Sequence, residues 1–294
     1  MLDVLFIVCV IFYGYGEIQT RACLVSTVQH ALEGVRLVVV TGGSSGIGKS
    51  FIESIRRVST AVEICNLSRS DPGLISGAAN LIHRACDLSE PAERKAAADW
   101  VLERINSIDG PGKLLIINNA GFGNYGGFSA RPTDLHLAMI GLNVLAPVEL
   151  VSRLMPPLLE RGGAVINVAS IAAHQPIPTL AVYAASKAFL LHWSIALRDE
   201  LRPSGVPVLA VCPGPTRTGF SRRAGFDRRA DSALLDQSAD QVVREAWLAL
   251  ERGRTMVVTG FFNKMIAGIM MRLPKTWSSR MAGRAVSRSR PAPP

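Results

Sequence analysis

The chain has 294 residues, of which 48% are hydrophobic and 19% are charged, a balance that excludes an intrinsically disordered chain. The formal net charge is +9, and arginines concentrate between residues 217 and 229 and again beyond residue 271. Aromatic residues do not alternate with these charges and no nucleic-acid-binding motif is present. We therefore expect no nucleic-acid partner, but a phosphate-bearing ligand, an anionic membrane surface or a solvated face.

The five cysteines indicate a reducing compartment. Their number is odd and none are spaced as metal ligands, so we expect a cytoplasmic protein without structural disulfides. His174 and His192 also lack a partner at a metal-ligand spacing, and loop polarity or helix packing explains them better than catalysis. The sequence therefore predicts no metal site. The cysteines are Cys9, Cys23, Cys65, Cys86 and Cys212.

Residues 1–35 form a predicted N-terminal extension. Its apolar run from Val4 to Tyr15 is shorter than the ~20 residues that cross a bilayer, and Asp3 stands where a secretory signal carries positive charge. Three interpretations remain open: a shallow membrane-associating segment, an extension from a misassigned upstream start, or an extra packed element.

The first chemical motif lies between a predicted strand and a predicted helix. The strand, Leu37–Val40, is a β-branched apolar run typical of strands buried on both faces. The glycine-rich turn Thr41–Gly48 follows, and then the helix Lys49–Val58. Glycines let the backbone approach a diphosphate, and the N–H groups of a helix N-terminus attract anions. This succession predicts a dinucleotide site.

The end of the second predicted strand, Val62–Asn66, bears on the choice of cofactor. In dinucleotide folds an acidic residue about 20 positions beyond the glycines binds the ribose 2′-OH, whereas an arginine accommodates a 2′-phosphate. Ser68 and Arg69 occupy this region here, and no carboxylate is present. We therefore predict NADP(H) rather than NAD(H). An ordinary surface role for Arg69 is the alternative.

Strands and helices continue to alternate up to about residue 260. This order predicts an α/β fold: a single Rossmann-like, doubly wound domain over residues 36–260, with a seven-stranded parallel sheet flanked by helices. No composition break or internal repeat marks a second domain. The remaining predicted strands are Ile82–Cys86, Leu114–Ile117, Val165–Val168, Val208–Cys212 and Met256–Thr259, and the predicted helices are Glu90–Asn106, Thr133–Glu160 with Pro147, Pro156 and Pro157 inside it, Tyr183–Leu201 and Gln241–Glu251.

Tyr183 and Lys187 are four residues apart in a run of small residues, so a helix places them on one face. A lone tyrosine has a pKa near ~10, and a nearby ammonium group stabilises the phenolate and lowers that pKa toward the working range. A packed tyrosine beside a solvated lysine is the alternative for so short a pattern. The surrounding motifs favour catalysis.

Together these motifs make the chain, from about residue 36 to residue 260, similar to the short-chain dehydrogenase/reductase (SDR) family. T-G-x-x-x-G-x-G over Thr41–Gly48 resembles its cofactor loop, and Tyr183-x-x-x-Lys187 resembles its catalytic pair. The G-F-G-x-x-G-x-F run and the apolar, basic tail resemble an NADP-preferring bacterial group with loosely defined substrates. The other matching elements are N-N-A-G over Asn118–Gly121, Asn143 in the long helix, Ser170 after the fifth strand and Pro213-Gly214 after the sixth.

The resemblance implies a role for each of these residues. Tyr183 would exchange a proton with the substrate oxygen, Lys187 would lower the Tyr183 pKa and hold the nicotinamide ribose, and Ser170 would polarise the carbonyl. Asn143 would position a water that links Lys187 to solvent. Asp87 would bind the adenine amino group, with helix capping as the alternative. The implied cofactor-binding residues are Gly42, Ser44, Ser45, Gly46, Ile47, Gly48, Arg69, Asp87, Leu88, Asn119, Ala120, Gly121, Tyr183, Lys187, Pro213, Gly214, Thr216 and Thr218.

The resulting prediction is an NADP(H)-dependent oxidoreductase. It would move hydride between the nicotinamide and the carbonyl or secondary alcohol of a small or lipid-like substrate. The alternatives are a membrane-peripheral lipid or 3-oxoacyl reductase and a non-catalytic dinucleotide-binding sensor. Residues 216–237 follow the sixth strand and are expected to form the substrate lid. We also expect a homo-oligomer.

The C-terminal tail over residues 261–294 is apolar at first and then basic. Its first part, Phe261–Leu273, carries only two charges in thirteen residues and is too short to cross a bilayer. Packing against the domain, pairing with a second subunit and contact with an anionic membrane all remain open, and the arginines further along suit the last of these. We expect the end of the tail to be disordered.

Overall fold

The computed structural model describes residues 25–73, 80–220, 224–225 and 236–288, and every structural statement below concerns this part of the chain. Several predictions lie outside it. They concern the apolar run Val4–Tyr15, Cys9 and Cys23, much of the lid and the last residues of the tail.

Seven parallel strands form one sheet and confirm the predicted doubly wound architecture. The strands are β1 Val35–Thr41, β2 Glu63–Ser68, β3 Leu81–Ala85, β4 Lys113–Asn118, β5 Gly163–Val168, β6 Val208–Cys212 and β7 Met256–Val258. Their spatial order is β3-β2-β1-β4-β5-β6-β7. Val38 of β1 is in register with Ile64 of β2 on one side and with Leu115 of β4 on the other. The strand order reverses at this point, where such sheets open a ligand crevice at their carboxyl edge.

The central strand β1 is buried on both faces, as its run of β-branched residues predicts. Val38 and Val40 pack into the apolar layer that contains Phe51. Leu37 and Val39 pack into the opposite layer. A strand with no solvated face needs helices on both sides of the sheet, so this burial fixes the three-layer arrangement.

Helices cover both faces of the sheet. They are α1 over residues 25–31, α2 Gly46–Val58, α3 Pro91–Asn106, α4 Thr133–Ile140, α5 Ala146–Arg161, α6 Ala181–Glu200, α7 Ala239–Glu251, α8 Phe261–Arg272 and α9 Lys275–Arg288. Helices α2 and α7 lie on one face, where the rings of Phe51 and Trp247 meet edge to face at 5.5 Å and Trp247 Nε1 donates to Ser54 Oγ at 3.0 Å. Helices α3 and α5 pack in the opposite layer.

The predicted helix Thr133–Glu160 is interrupted by a π turn over Gly141–Leu145. The turn is closed by the bond from Ala146 N to Gly141 O, which spans one residue more than an α-helical bond. Gly141 is required because an added Cβ would lie 2.8 Å from the carbonyl oxygen of Ser89. The extra residue rotates the chain so that Asn143, only 1% exposed, points into the interior.

The same run, Thr133–Arg161, is the one helical stretch among the described residues that is long and apolar enough to cross a membrane, with a mean hydropathy of 1.6. Leu150, Leu154 and Leu158 on α5 are buried in the apolar layer beneath the sheet. This packing accounts for part of the high hydropathy, and exposed leucines such as Leu137 and Leu159 account for the rest.

The described part of the tail forms α8 and α9, and both pack against the domain. Asn263 and Ala267 of α8 and Ser278 and Ala282 of α9 are buried. Ala282 belongs to an apolar cluster with Ile177, Leu180 and Ala184 near the start of α6. The tail therefore shares in the core of the domain, but it also leaves several large apolar side chains exposed. These are Phe261, Phe262, Met265, Ile269, Met271, Trp277 and Met281.

Candidate active site

Helix α6 places Tyr183 and Lys187 one turn apart beside the carboxyl edge of the sheet. The Tyr183 ring is half-buried and lies 5.6 Å from the ring of Phe220. Gly123 allows this position, because an added Cβ there would be 3.0 Å from Tyr183 Cδ2. Lys187 is buried, and its Nζ donates to the carbonyl oxygen of Val168 at 2.8 Å. Both functional groups thus meet the end of β5.

Ser170 lies just beyond β5 and reaches the same point. Its Oγ accepts a hydrogen bond from Ala172 N at 3.1 Å and so caps the 3₁₀ turn Ile171–His174. The Ser170 hydroxyl also lies near that of Tyr183, where it favours the ionised form of the phenol. The two hydroxyl groups are therefore adjacent, as a carbonyl oxygen held by both would require.

Asn143 completes the group from the side of the π turn. Its Nδ2 donates to Phe122 O at 2.9 Å and to Ser186 Oγ at 3.0 Å, and its Oδ1 accepts from Phe122 N at 3.1 Å. An added Cβ on Gly121 would lie 3.0 Å from Asn143 Oδ1 and 3.3 Å from Lys187 Nζ, so these groups are neighbours. Asn143 anchors the loop that faces Lys187, and Ser186 supports it.

The pKa values of the pair differ from the sequence prediction. Burial raises the pKa of Tyr183 to about 12, although the neighbouring Ser170 hydroxyl opposes the shift. Burial also lowers the pKa of Lys187 to about 8, against the opposing influence of Cys212. The expected lowering of the Tyr183 pKa by Lys187 is wrong for this arrangement, because loss of water around the phenol dominates and the ammonium group bonds to Val168. At neutral pH the pair is a protonated phenol beside a lysine close to its titration point.

The glycine-rich turn forms a cradle between β1 and α2. Gly42 has a φ of +68° and Gly46 a φ of +58°, values that favour glycine. An added Cβ on Gly42 would lie 3.0 Å from the Cα of Ala120, so β4 and the turn approach closely. Ser45 makes no side-chain capping bond to α2, and no acidic residue lies in the first turn of this helix. The N-terminus of α2 thus keeps the positive potential that attracts phosphate.

Thr41 ties the glycine-rich turn to the N-N-A-G segment. Its Oγ1 accepts from both Asn119 N and Ala120 N at 2.9 Å, and its carbonyl oxygen accepts from Asn119 Nδ2 at 2.9 Å. Asn66 fixes the other side of the turn, because its Oδ1 accepts from Gly43 N at 2.9 Å. These two residues shape the cradle without belonging to its predicted lining.

At the far end of the crevice, the structure brings Arg69 and Asp87 together. Arg69 Nη1 lies 3.6 Å from Asp87 Oδ2 beyond the ends of β2 and β3. Burial opposes ionisation of Asp87, but hydrogen bonds from Ser89 and the nearby Arg69 hold its pKa below the ordinary value. Leu88 is buried next to Asp87. The expected alternative, helix capping by Asp87, is not realised, because Glu90 is the N-cap residue of α3 and Asp87 Oδ1 accepts from Ser89 N at 2.9 Å in the turn before it.

The segment after β6 closes the crevice from the other side. Thr218 lies over the glycine-rich turn, since an added Cβ on Gly46 would be 3.0 Å from Thr218 Cγ2. Thr216 bonds through Oγ1 to Gly214 O at 2.9 Å and forms a β-bridge with Gln237. The two ends of the predicted lid are thereby joined. Pro213 O accepts from Ile171 N at 2.9 Å and links this segment to the turn after Ser170.

All the predicted site residues lie at the carboxyl edge of the sheet or on the helices that follow it. Ser44, Ser45, Gly46 and Ile47 are half-buried in the turn, whereas Gly48 is buried. The sequence analysis missed residues that position the site, although two gave a signal: Thr41 precedes the first glycine of the turn, and Asn66 is a polar residue ending an apolar strand. The residues whose individual roles were missed are Thr41 and Phe220, which lie inside the predicted turn and lid, and Asn66 and Ser186.

Comparison with known proteins identifies the group to which this site belongs. The sequence model of the short chain dehydrogenase family matches residues 36–228. The ketoacyl reductase HetN of Nostoc sp. is 32% identical over 199 residues, which cover 63% of this chain and 66% of HetN.

Two solved structures extend the likeness to the fold. A short-chain dehydrogenase from Sphingobium yanoikuyae in complex with NADPH is 28% identical, with a TM-score of 0.66 over 82% of this chain and 97% of that one. A short chain dehydrogenase from Burkholderia cenocepacia in complex with NADP is 25% identical, with a TM-score of 0.66 over 82% of this chain and 98% of that one. The chain belongs to the short-chain dehydrogenase family and is an oxidoreductase of CH–OH and C=O groups.

Proposed function

We propose that the protein reduces a carbonyl group with NADPH and that Tyr183 donates the proton. The observation that carries this proposal is the meeting of three groups at the end of β5: the neighbouring hydroxyls of Ser170 and Tyr183, and the buried ammonium group of Lys187. A site with these groups can hold a carbonyl oxygen and neutralise it as charge develops there.

The chemistry follows from charge development on the substrate oxygen. When bound, the dinucleotide would be the source of the hydride that reaches the carbonyl carbon. Ser170 donates a hydrogen bond to the oxygen as it becomes negative, and Tyr183 transfers its phenol proton to it. Lys187 would offset part of the charge left on the phenolate, although burial outweighs this influence on the Tyr183 pKa. A phenol with a pKa of about 12 is protonated at neutral pH, so Tyr183 carries the proton that it would donate.

The dinucleotide fits the residues of the crevice. Gly42 lies close to Ala120 and has no side chain, so backbone groups are accessible where a diphosphate would lie. The N-terminus of α2 faces the same place. Asp87 and Leu88 would hold the adenine, and Lys187 would hold the nicotinamide ribose. The preference for NADP(H) over NAD(H) rests on Arg69, with Ser68 in place of a carboxylate, and is supported by the NADPH and NADP bound to the Sphingobium and Burkholderia relatives.

The proposed substrate is a small or lipid-like carbonyl compound. The alternative function, that of a 3-oxoacyl reductase, is supported by the relative HetN, which is named as a ketoacyl reductase. NADPH consumption by the purified protein against a panel of ketones, aldehydes and 3-oxoacyl esters would test both. Turnover of at least one panel member is expected. Tight NADPH binding with no turnover of any member would favour the non-catalytic sensor.

As a second proposal, the enzyme is cytoplasmic and contacts the surface of a membrane. No Asp or Glu occurs after residue 260, whereas α8 and α9 expose Phe261 at 70%, Ile269 at 53% and Trp277 at 63%. Apolar side chains among cations suit an anionic bilayer surface.

Sedimentation with phosphatidylserine vesicles tests the membrane contact. Removal of the tail would uncover buried groups such as Ala267, so point changes are preferable. Phe261→Ser combined with Trp277→Ser should abolish sedimentation, whereas Phe128→Ser, a change at another exposed phenylalanine, should not. A parent protein that stays in the supernatant would refute the contact.

A homo-oligomer is also proposed. Leu137, Leu145 and Leu159, along the outside of the α4–α5 run, are each about half exposed or more. Exposed apolar side chains along one helical run suit pairing with a second copy. Light scattering should give a mass above that of the 31.6 kDa chain, and Leu145→Glu with Leu159→Glu should reduce it to one chain. A monomeric parent protein would contradict this proposal.

A further inference from the structure

A groove of about 520 Å³ lies between α6, α9 and the segment over residues 173–178. We call it the rear groove, because Tyr183 does not line it. Ala181, Ala185 and Ala188 form its wall on α6, and Lys275 and Ser279 form its wall on α9. Small side chains at these positions leave room beside the helix that carries the catalytic pair.

A buried histidine faces this space without a partner. His174 lines the rear groove and is only 6% exposed, yet its Nε2 has no hydrogen-bond partner among the residues that the structure describes. A buried polar nitrogen left unpaired is costly, so such an atom marks a place where a ligand can be bound. His174 thus places an unpaired, enclosed polar atom next to the rear groove.

Lys275 is the lining residue of the rear groove that carries a full charge, and it is a cation. Lys275 and His192 both line it, and no acidic residue does. Lys275 Nζ donates to the backbone oxygen of His174 at 2.7 Å, which holds the ammonium group beside the imidazole and leaves further N–H groups of this lysine for a ligand. Apart from Gln175 and Ser279, the rest of the lining is apolar and includes Pro176 and Ile177.

We propose that the rear groove binds an amphipathic carboxylate. The carboxylate would lie at Lys275 Nζ and would reach His174 Nε2 once the imidazole turns toward the rear groove, and its hydrocarbon chain would lie along the alanine wall of α6. A charge-assisted bond to the ammonium group and burial of the chain supply the affinity.

The imidazole of His174 can serve as the donor in its neutral form. Burial, Lys275 and His192 together hold the His174 pKa below its ordinary value, so the ring is neutral at pH 7. A neutral imidazole can carry its proton on Nε2 and donate it to a carboxylate oxygen. Because His174 is neutral, Lys275 supplies the positive charge that pairs with the carboxylate.

The rear groove shares α6 with the active site but opens on another side. Ser170 and Tyr183 line no part of it, and its exposed wall residues Ala181 and Ala185 keep it open to solvent. An occupant would tie α9 to the catalytic helix. This ligand would therefore bind together with NADPH and would not compete for the carbonyl site.

Calorimetric titration of the full chain, saturated with NADPH, tests the proposal with octanoate as the probe and octan-1-ol as the uncharged comparison. Octanoate should bind at one site per chain, at least about tenfold more tightly than octan-1-ol. Lys275→Gln keeps a donor for His174 O but removes the charge. It should weaken octanoate binding about tenfold or more and leave octan-1-ol unchanged.

Two further variants locate the site. Ala185→Trp fills the rear groove from an exposed position of α6 and should abolish binding of both probes. Arg280→Ala removes an exposed cation of α9 that does not line the groove and should leave binding unchanged. The proposal is overturned if octanoate does not bind the parent protein, or if both Lys275→Gln and Ala185→Trp bind it as the parent does.

Discussion

Arg69 and Asp87 face each other across the ends of β2 and β3, with Arg69 Nη1 3.6 Å from Asp87 Oδ2. The Arg69 side chain is 72% exposed and that of Asp87 is 32% exposed, so solvent screens the pair and its contribution to stability is small. Asp87 has other partners, because Ser89 donates to its Oδ1 through both N, at 2.9 Å, and Oγ, at 2.7 Å. The guanidinium group can therefore move to a 2′-phosphate at little cost.

This arrangement predicts the effect of Arg69→Ala. Loss of a charge-assisted bond to the 2′-phosphate, worth roughly 1.5–3 kcal/mol, should raise KM for NADPH about 10- to 100-fold and change KM for NADH little. Steady-state kinetics with each cofactor checks it. Arg57→Ala, at an exposed arginine of α2 that pairs with Glu53, is the matched control and should leave both values unchanged. Equal losses with both cofactors would contradict the assignment.

Gly42→Ala should disrupt the cradle. Alanine is strained at a φ of +68°, and its Cβ would meet Ala120 Cα at 3.0 Å, where a diphosphate is proposed to pass. We expect a stability loss of roughly 1–3 kcal/mol and a large loss of NADPH affinity. Thermal unfolding and fluorescence titration measure the two effects.

Gly127→Ala is the control for this change. Its φ is −60°, and an added Cβ would have no neighbour within 4 Å. This variant should bind NADPH as the parent does. If Gly42→Ala also behaves like the parent, the cradle does not depend on this glycine.

Asn143→Ala should weaken both the fold and the reaction. The change leaves Phe122 N and O and Ser186 Oγ without their bonds to Asn143, at a cost of about 1–3 kcal/mol for each group left unpaired. For a chain of this size each kcal/mol lowers Tm by roughly 2–4 °C. A fall in Tm together with a fall in kcat is expected, whereas Asn106→Ala, on the exposed end of α3, should change neither. An unchanged Tm would show that Asn143 does not anchor the loop.

Burial of Lys187 predicts a dependence of stability on pH. The Lys187 pKa falls from an ordinary 10.5 to about 8 in the folded protein. Between these values the unfolded chain binds more protons than the folded chain, so this group makes the protein more stable as the pH rises. The gain approaches roughly 3 kcal/mol at pH 10.5, and below pH 8 it is absent.

Chemical unfolding of the parent and of Lys187→Met from pH 7 to pH 10 measures this effect. The parent should gain stability relative to the variant as pH rises above 8, and an exposed-site control, Lys95→Met, should follow the parent. A constant difference between the parent and Lys187→Met over this range would show that Lys187 titrates normally.

The sequence predicted the periodic parts of the molecule well. All seven strands were placed within about two residues of their ends. A β-branched apolar run such as Val38–Val40, bounded by turn residues, strongly favours a buried strand. Tyr183 and Lys187 were placed on one helical face by their spacing alone. Ser170 and Asn143 required the resemblance to a family, since nothing local distinguishes them.

Features that depend on distant contacts were not predicted. The π turn requires the backbone of Ser89 beside Gly141, and that approach has no local signal. The pKa of Tyr183 follows burial rather than its neighbour in the helix, so its direction could not be read from the Tyr-x-x-x-Lys pattern. The packing of α9 against Ile177 likewise joins segments about a hundred residues apart.

The direct test of the proposed mechanism is Tyr183→Phe, compared with the parent for NADPH oxidation on the carbonyl that the panel identifies and for NADPH affinity. Phenylalanine keeps the contact with Phe220 and removes only the hydroxyl. We predict a fall in kcat of about 10²–10⁴-fold, the usual value of a positioned proton donor, with the Kd for NADPH unchanged. A variant that keeps about a tenth of the parent rate or more would show that Tyr183 is not the proton donor.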